Sequence, residues 1–138
     1  AECAVRFFCV GEAISIPLLR ATWHASVHPL PKAVMGRIVK DEAAHGKFGF
    51  TFLDWALPRL TKDDLATLGR SADLAIRYIY LQWAHTRKTR RSPKHHSDVL
   101  GWMKTDDYLT LAERSMRQHV ITPLEARGIP IGAQLATV

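Results

Sequence analysis

Seven positions between residues 35 and 56 recur at alternating intervals of three and four, and this spacing constrains the fold more than any other feature. Positions three and four apart share one face of an α-helix, so the pattern predicts a helix of over five turns at about 32–57. Pro58 ends this helix. Its predicted inner face consists of Met35, Ile38, Glu42, His45, Gly49, Phe52 and Ala56.

The same spacing predicts a helix before this one, at 3–28. Its apolar stripe contains a single carboxylate, Glu12, and two prolines in "HPLPK" (28–32) end it. Pro17 lies inside the helix and removes the bond to the Ala13 carbonyl, so we expect a kink just after Glu12. The predicted inner face is Val5, Phe8, Glu12, Ile16, Leu19 and Trp23.

Two more helices are predicted in the second half of the chain. Thr61 and Asp64 form a capping-box-like start for a helix at about 62–86. Its predicted core side is Leu65, Leu68, Ala72, Ala75, Ile79 and Trp83. The last helix, at about 105–121, uses Leu109, Ala112, Met116 and Val120.

No strand period of any length competes with these patterns, so we expect an all-α fold, an antiparallel helical bundle. Thr122 and Pro123 open a short last turn that stops at Gly128. The predicted organisation is one helical domain over 1–128, followed by an extended or disordered tail over 129–138.

Composition excludes several classes of partner. No apolar run approaches the roughly 20 residues of a membrane-spanning helix, so we expect no membrane partner. Much of the net charge of +6 lies in "HTRKTRRSPKHH" (85–96), which we interpret as a solvated interhelical loop. Because it lacks interleaved aromatics, we expect no nucleic-acid partner, although an anionic partner stays an alternative. Cys3 and Cys9 are six apart and are interpreted as reduced thiols of a cytoplasmic protein.

Glu42 and His45 lie in the middle of a predicted core stripe. An unpaired buried carboxylate costs several kcal/mol, and a cation bound between the two side chains would offset that cost. Glu12 is also mid-stripe, and thirty residues separate it from Glu42. Two antiparallel helices joined by a turn near residue 29 would bring the two carboxylates to one level. The spacing therefore predicts a metal site of Glu12, Glu42 and His45.

This donor set indicates a first-row transition metal, with iron or manganese favoured by its oxygen-rich character. A complete dinuclear carboxylate site takes one Glu from each of two helices and a Glu-x-x-His from each of two more. The chain provides half of this set, because residues 60–138 contain no other Glu-x-x-His. Asp41 points sideways from Glu42, and we expect it to accept a bond from a metal-bound His on a neighbouring helix.

The segments "FFCVGEAISIPLLRATW" (7–23) and "VMGRIVKDEAAHGKFGFTFLDWAL" (34–57) resemble the second helix pair of the ferritin-like di-iron carboxylate superfamily. The similar features are a Glu among small residues, a turn, and then Asp-Glu-x-x-His, within roughly residues 3–57. The resemblance implies metal-ligand roles for Glu12, Glu42 and His45, an outer-shell role for Asp41, two irons per complete site, and reaction with dioxygen. It implies further helices after this pair.

The first helix pair of that family is not found upstream, so we expect the chain to be the C-terminal part of a longer polypeptide. A missing N-terminal segment or a second copy of the chain would complete the site. The expected function is dioxygen activation, as an oxidase or oxygenase on a small molecule. The alternatives are a ferroxidase that handles iron and a metal-free helical interaction module.

Overall fold

The structure is a computed structural model that describes residues 1–89 and 101–132. Within these residues all regular structure is helical, which confirms the predicted all-α bundle. We number four helices in chain order. Helix α1 comprises the consecutive segments Glu2–Ala4, Val5–Glu12 and Ala13–Ala25; α2 is Pro29–Ala56, followed by a 3₁₀ turn at Leu57–Arg59; α3 is Lys62–Lys88; and α4 comprises Thr105–Met116, Arg117–Ile121 and Thr122–Glu125.

The middle segment of α1, Val5–Glu12, is a π-helix. Such segments carry i→i+5 hydrogen bonds and often lie at functional sites. The return to α-helix at Ala13 falls where the sequence predicts a kink. Glu12 is thus the last residue of the π segment, one turn before Pro17.

Helix α2 begins at Pro29, three residues before its predicted start. Proline is favoured in a first helical turn, because the N–H groups there have no partner within the helix. The Leu30 N–H donates to Nδ1 of His28 instead, over 3.2 Å. The prolines of "HPLPK" therefore separate α1 from α2 and also begin α2.

Helix α1 lies at the centre of the bundle and packs against α2, α3 and α4. The predicted core sides of α3 and α4 are confirmed. Leu68, Ala72 and Trp83 of α3 are buried, and Leu65, Ala75 and Ile79 pack against them. All four residues predicted for α4 are buried: Leu109, Ala112, Met116 and Val120. The predicted capping box of Thr61 and Asp64 is also present.

The predicted inner face of α2 is correct only in part. Gly49 and Ala56 are buried as predicted, whereas Ile38 and His45 are exposed. Val39 and Leu53, which lie beside the predicted face, are buried instead. The helix carries apolar residues on two flanks, and periodicity alone cannot tell which flank meets the core. The side chains of Glu42 and His45 therefore lie at the edge of the α1–α2 contact and not in the bundle core.

The predicted face of α1 is buried at Val5 but half-buried from Phe8 onward, where Phe8, Ile16 and Trp23 lie against α2. Two glycines of α2 allow this contact. A Cβ at Gly49 would lie 2.7 Å from the backbone C of Phe8, and one at Gly46 would collide with Ile16 Cδ1. These close approaches bring the two helix backbones together on both sides of the level of Glu12.

The chain after α4 packs back onto the bundle. Gly128 has φ +74° and ends the last turn, as predicted. Ile129 is fully buried, and the Gly132 N–H donates to the Asp73 carboxylate over 3.0 Å. Residues 129–132 are not helical, and the rest of the predicted tail, 133–138, lies outside the described residues.

The predicted basic loop at 85–96 begins within α3, which continues to Lys88. Residues 90–96 of that segment lie outside the described residues. Among the helices at 1–89 and 101–132, none has the length and apolarity needed to span a membrane.

Candidate metal centre

Glu12, Glu42 and His45 come together at the edge of the α1–α2 contact. Each offers a ligand atom, and these atoms all lie within 4.8 Å of one another. The antiparallel arrangement of α1 and α2 produces this cluster, since it places residue 12 opposite the turn that carries residues 42 and 45. Within 1–89 and 101–132, no other group of three or more His, Cys, Asp or Glu side chains has such spacing.

The two ligands on α2 are already in contact. Nδ1 of His45 lies 2.8 Å from Oε2 of Glu42, as expected for residues one helical turn apart. The side chains are 56% and 28% exposed, respectively. The contact fixes the orientation of the imidazole and leaves Nε2 on the other side of the ring.

Glu12 faces this pair from α1, and its pKa is raised above the ordinary value of 4.5. Burial is the main cause; the negative charge of Glu42 and a hydrogen bond to its side chain raise the pKa further, while His45 and Ser15 oppose the shift. A raised pKa means that Glu12 gives up its proton less readily than a free carboxyl does. A divalent cation between the two carboxylates would favour their charged forms and oppose this shift.

Asp41, the predicted outer-shell residue, does not join the cluster. Its carboxylate accepts a hydrogen bond from Arg37 Nε over 2.9 Å on the exposed side of α2. It therefore points sideways from Glu42, as the sequence predicts. Its bond to a histidine of another helix stays a prediction.

Aromatic side chains cover one end of the cluster. Phe8, one turn before Glu12, meets Phe48 edge-on, with ring centroids 4.9 Å apart. Phe48, Phe52 and Trp55 then follow one another along α2 with successive centroid separations of 6.2 and 5.8 Å. Sequence reasoning placed only Phe52 of this series on the inner face of α2, although the spacing of Phe48 and Trp55 indicates a second apolar stripe.

A groove of about 480 Å³ lies on the opposite flank of the α1–α2 contact. Its wall includes Ala13 and Ala43, which directly follow Glu12 and Glu42 in the chain. Three basic side chains also line it: Arg20, Lys47 and His119. Sequence reasoning missed this groove, because His119 comes from α4 and only the tertiary fold brings it to α1 and α2.

Comparisons of the chain with family models, with curated proteins and with solved structures found no match. The interpretation of the cluster therefore depends on its own geometry and chemistry.

Proposed function

We propose that the chain binds a redox-active transition metal through Glu12, Glu42 and His45 and belongs to a dioxygen-activating, ferritin-like di-iron protein. The observation that carries this proposal is the convergence of three ligand atoms from two helices within 4.8 Å. Two carboxylates and one imidazole suit iron best, with manganese as the alternative.

The protonation behaviour of the three ligands is compatible with cation binding. Burial and the negative charge of Glu42 raise the pKa of the Glu12 carboxyl, so its charged form is disfavoured in the metal-free chain. Carboxylates bind cations in their deprotonated form, so affinity would rise with pH. Three protein ligands leave coordination positions open, and bound iron would supply electrons to dioxygen.

A second metal ion requires more ligands than the described residues provide. Glu42 and His45 are open to solvent on the flank away from the bundle core, and this is where further ligands would enter. Another copy of the chain or a preceding segment would supply them. The resemblance to the second helix pair of the ferritin-like superfamily supports the same incomplete set.

The groove on the opposite flank of the α1–α2 contact, lined by the chain neighbours Ala13 and Ala43 of the two glutamates, supports a small-molecule substrate. Its volume of about 480 Å³ suits a small ligand, and Arg20, Lys47 and His119 would attract an anionic group. Ile16, Pro17 and Phe50 offer an apolar wall for the rest of such a molecule. We propose a small anionic compound as the substrate of the oxidase or oxygenase reaction.

Iron oxidation without an organic substrate is the second candidate, and the 56% exposure of the His45 side chain favours it. An open path lets ferrous ions reach the ligands directly. Oxygen consumption with ferrous iron alone would support the ferroxidase, whereas oxygen consumption that requires a small anionic compound would support the oxidase.

A metal-free interaction module is the third candidate, favoured by the exposed apolar side chains of α2, such as Val34 and Trp55. In that case chelation would leave thermal stability unchanged. A metal-binding protein would instead lose stability on chelation, because a ligand that binds only the folded state stabilises it.

The decisive experiment is the metal content of anaerobically purified protein, measured by mass spectrometry for the wild type and for Glu42→Ala. We expect iron or manganese in the wild type and its loss in the variant. Glu113→Gln is the matched control, because the Glu113 side chain is also partly exposed and paired, with Arg87, but does not belong to the cluster. Near-zero metal in the wild type, or equal metal in Glu42→Ala, would contradict the proposal.

A further inference from the structure

Helix α2 carries a second apolar face that residues 1–89 and 101–132 leave largely exposed. We define the α2 stripe as positions 34, 38, 41, 45, 48, 52 and 55, which recur at alternating intervals of four and three. Such spacing is typical of a helix that pairs with another helix along its length. The stripe spans 21 residue steps, or about 32 Å. Its members are Val34, Ile38, Asp41, His45, Phe48, Phe52 and Trp55.

Three of the five apolar members of the stripe are at least half exposed, while Ile38 is 36% exposed and Phe52 is half-buried. Val34 and Phe48 are each 50% exposed and Trp55 is 61% exposed. Helix α2 packs mainly on α1. The stripe borders this contact, because the Phe48 ring meets Phe8 and His45 lies in the cluster with Glu12. A stripe of this length needs a partner to remove it from water.

The stripe is symmetric about Ala43. Ile38 and Phe48 each lie five residues from this position, Val34 and Phe52 nine residues, and Asp41 and His45 two residues. In an antiparallel pair of identical helices with a two-fold axis near Ala43, each of these residues would face its counterpart. Phe48 would then meet Ile38, Phe52 would meet Val34, and Asp41 would meet His45.

We propose that a second copy of the chain packs antiparallel along the α2 stripe, with the two-fold axis near Ala43, and completes the metal site. Residue i of one subunit then contacts residue j of the other and the reverse, as a two-fold interface requires. The completion of the metal site rests on the proposed function, whereas the pairing rests on the stripe alone.

The symmetry identifies the occupant as a second copy. A different helix could pair with Ile38 and Phe48 through its own apolar residues, whatever their order. Only pairing with an identical helix requires the stripe to be symmetric about one position. The axis also brings Glu42 close to Glu42 of the partner subunit, so that two Glu/Glu/His clusters share one location. His45 would lie beside Asp41 of the partner subunit, which gives Asp41 the outer-shell role that its own chain does not use.

The first test is the mass of the protein in solution, measured by sedimentation velocity over a range of concentrations. We expect a dimer for the wild type and a monomer for Ile38→Glu and for Phe48→Glu, because each change places two carboxylates in an apolar interface. Leu74→Glu is the matched control: Leu74 of α3 is 61% exposed but lies off the stripe, so this variant stays a dimer. A monomeric wild type, or a dimer broken by Leu74→Glu and not by the stripe variants, would overturn the proposal.

The second test concerns the register. Single variants Ile38→Cys and Phe48→Cys are made in a Cys3→Ser background, in which the remaining native thiol, Cys9, is fully buried. We expect an intersubunit disulfide when the two variants are mixed under mild oxidation and none in either variant alone. A disulfide in Ile38→Cys alone would place the axis at residue 38 and overturn the proposed register.

Metal binding separates this inference from the proposed function. With manganese as the probe, Ile38→Glu should bind about 10- to 100-fold more weakly than wild type, because it loses the outer shell from the partner subunit. A monomeric wild type that binds manganese through Glu42 would overturn the pairing and support the metal site. A wild-type dimer that meets both structural tests but binds no metal would support the pairing and overturn the proposed function.

Discussion

Helices α1 and α2 have similar lengths and contribute jointly to the candidate site, yet their environments differ. Helix α1 contacts three other helices, and Phe7 is its one large hydrophobic residue that is strongly exposed in the described structure. Helix α2 packs mainly on α1 and exposes several, including Val34, Phe48 and Trp55. The cluster lies where the covered helix meets the open one.

This difference separates two roles within one site. Helix α1 holds Glu12 in a fixed frame, because burial of Val5, Cys9 and Val10 orients the helix. Helix α2 presents Glu42 and His45 beside a surface that remains available to a partner. Burying a large apolar side chain contributes roughly 1.5–3 kcal/mol, so covering the stripe would contribute substantially to association.

The largest loss of stability is expected from Gly49→Ala, which alters the contact between α1 and α2. A Cβ at Gly49 would lie 2.8 Å from the Cys9 backbone N, and backbone atoms cannot move aside. We expect a loss of about 2 kcal/mol in the free energy of unfolding, measured by urea titration at one protein concentration. Gly11→Ala is the control, since a Cβ there meets only the Arg6 carbonyl oxygen at 3.5 Å, and it should gain about 0.5–1 kcal/mol. Equal effects at both glycines would disprove the close contact.

The next effect concerns the attachment of α2 to the end of the chain. Arg127 donates from Nε and Nη2 to the Asp54 carboxylate over 2.6 and 2.9 Å, and lies 4.8 Å above the Phe50 ring. Arg127→Lys keeps the charge but loses this paired geometry, so we expect a loss of about 1–2 kcal/mol in urea titration. The hydrogen bond from Arg127 also lowers the pKa of Asp54 below 3.8. The stability that this bond contributes is therefore lost as the pH falls through the lowered pKa of Asp54. An Arg127→Lys variant as stable as the wild type would show that α2 does not depend on this bond.

A smaller, pH-dependent effect is expected from Glu12→Gln in the presence of a chelator. The raised pKa of Glu12 means that the metal-free folded chain loses stability as pH rises from about 4.5 through the raised value. The variant lacks this loss, so its stability relative to wild type should increase over that pH range and then level off. Urea titrations between pH 4 and 8 measure it, with Glu113→Gln as a carboxylate control. A difference that does not vary with pH would argue against a raised pKa of Glu12 in the folded chain.

The smallest change in stability is expected from breaking an ion pair on the exposed face of α2. Arg37 and Asp41 form an ion pair with side chains 78% and 56% exposed. Exposed pairs contribute little, so Arg37→Gln should change the free energy of unfolding by less than about 0.5 kcal/mol. If thermal melting shows a larger loss, Asp41 has a structural role within its own chain, and its assignment to a partner histidine becomes weaker.

The sequence predicted the helices well, because prolines and capping residues act locally. Thr61 and Asp64 marked the start of α3, and Gly128 marked the end of the last turn. The inner face of α2 was predicted correctly at Gly49 and Ala56 but wrongly at Ile38 and His45, because the choice between Ile38 and Val39 depends on where α1 lies, which no local pattern contains. The convergence of Glu12 with Glu42 was nevertheless predicted, since it requires only two helices and a turn. The basic groove was not predicted, because His119 reaches it through the tertiary fold.

The π segment of α1 has a consequence for insertions and deletions. Each residue of an α-helix turns the chain by about 100°, and a π segment accommodates extra residues without breaking the helix. Glu12 ends such a segment, so its direction depends on how many residues lie between Val5 and Ala13. Deleting one residue there would allow α-helical pairing throughout, while rotating the Glu12 carboxylate away from α2. The spacing along the backbone is therefore as much a determinant of this site as the identities of its ligands.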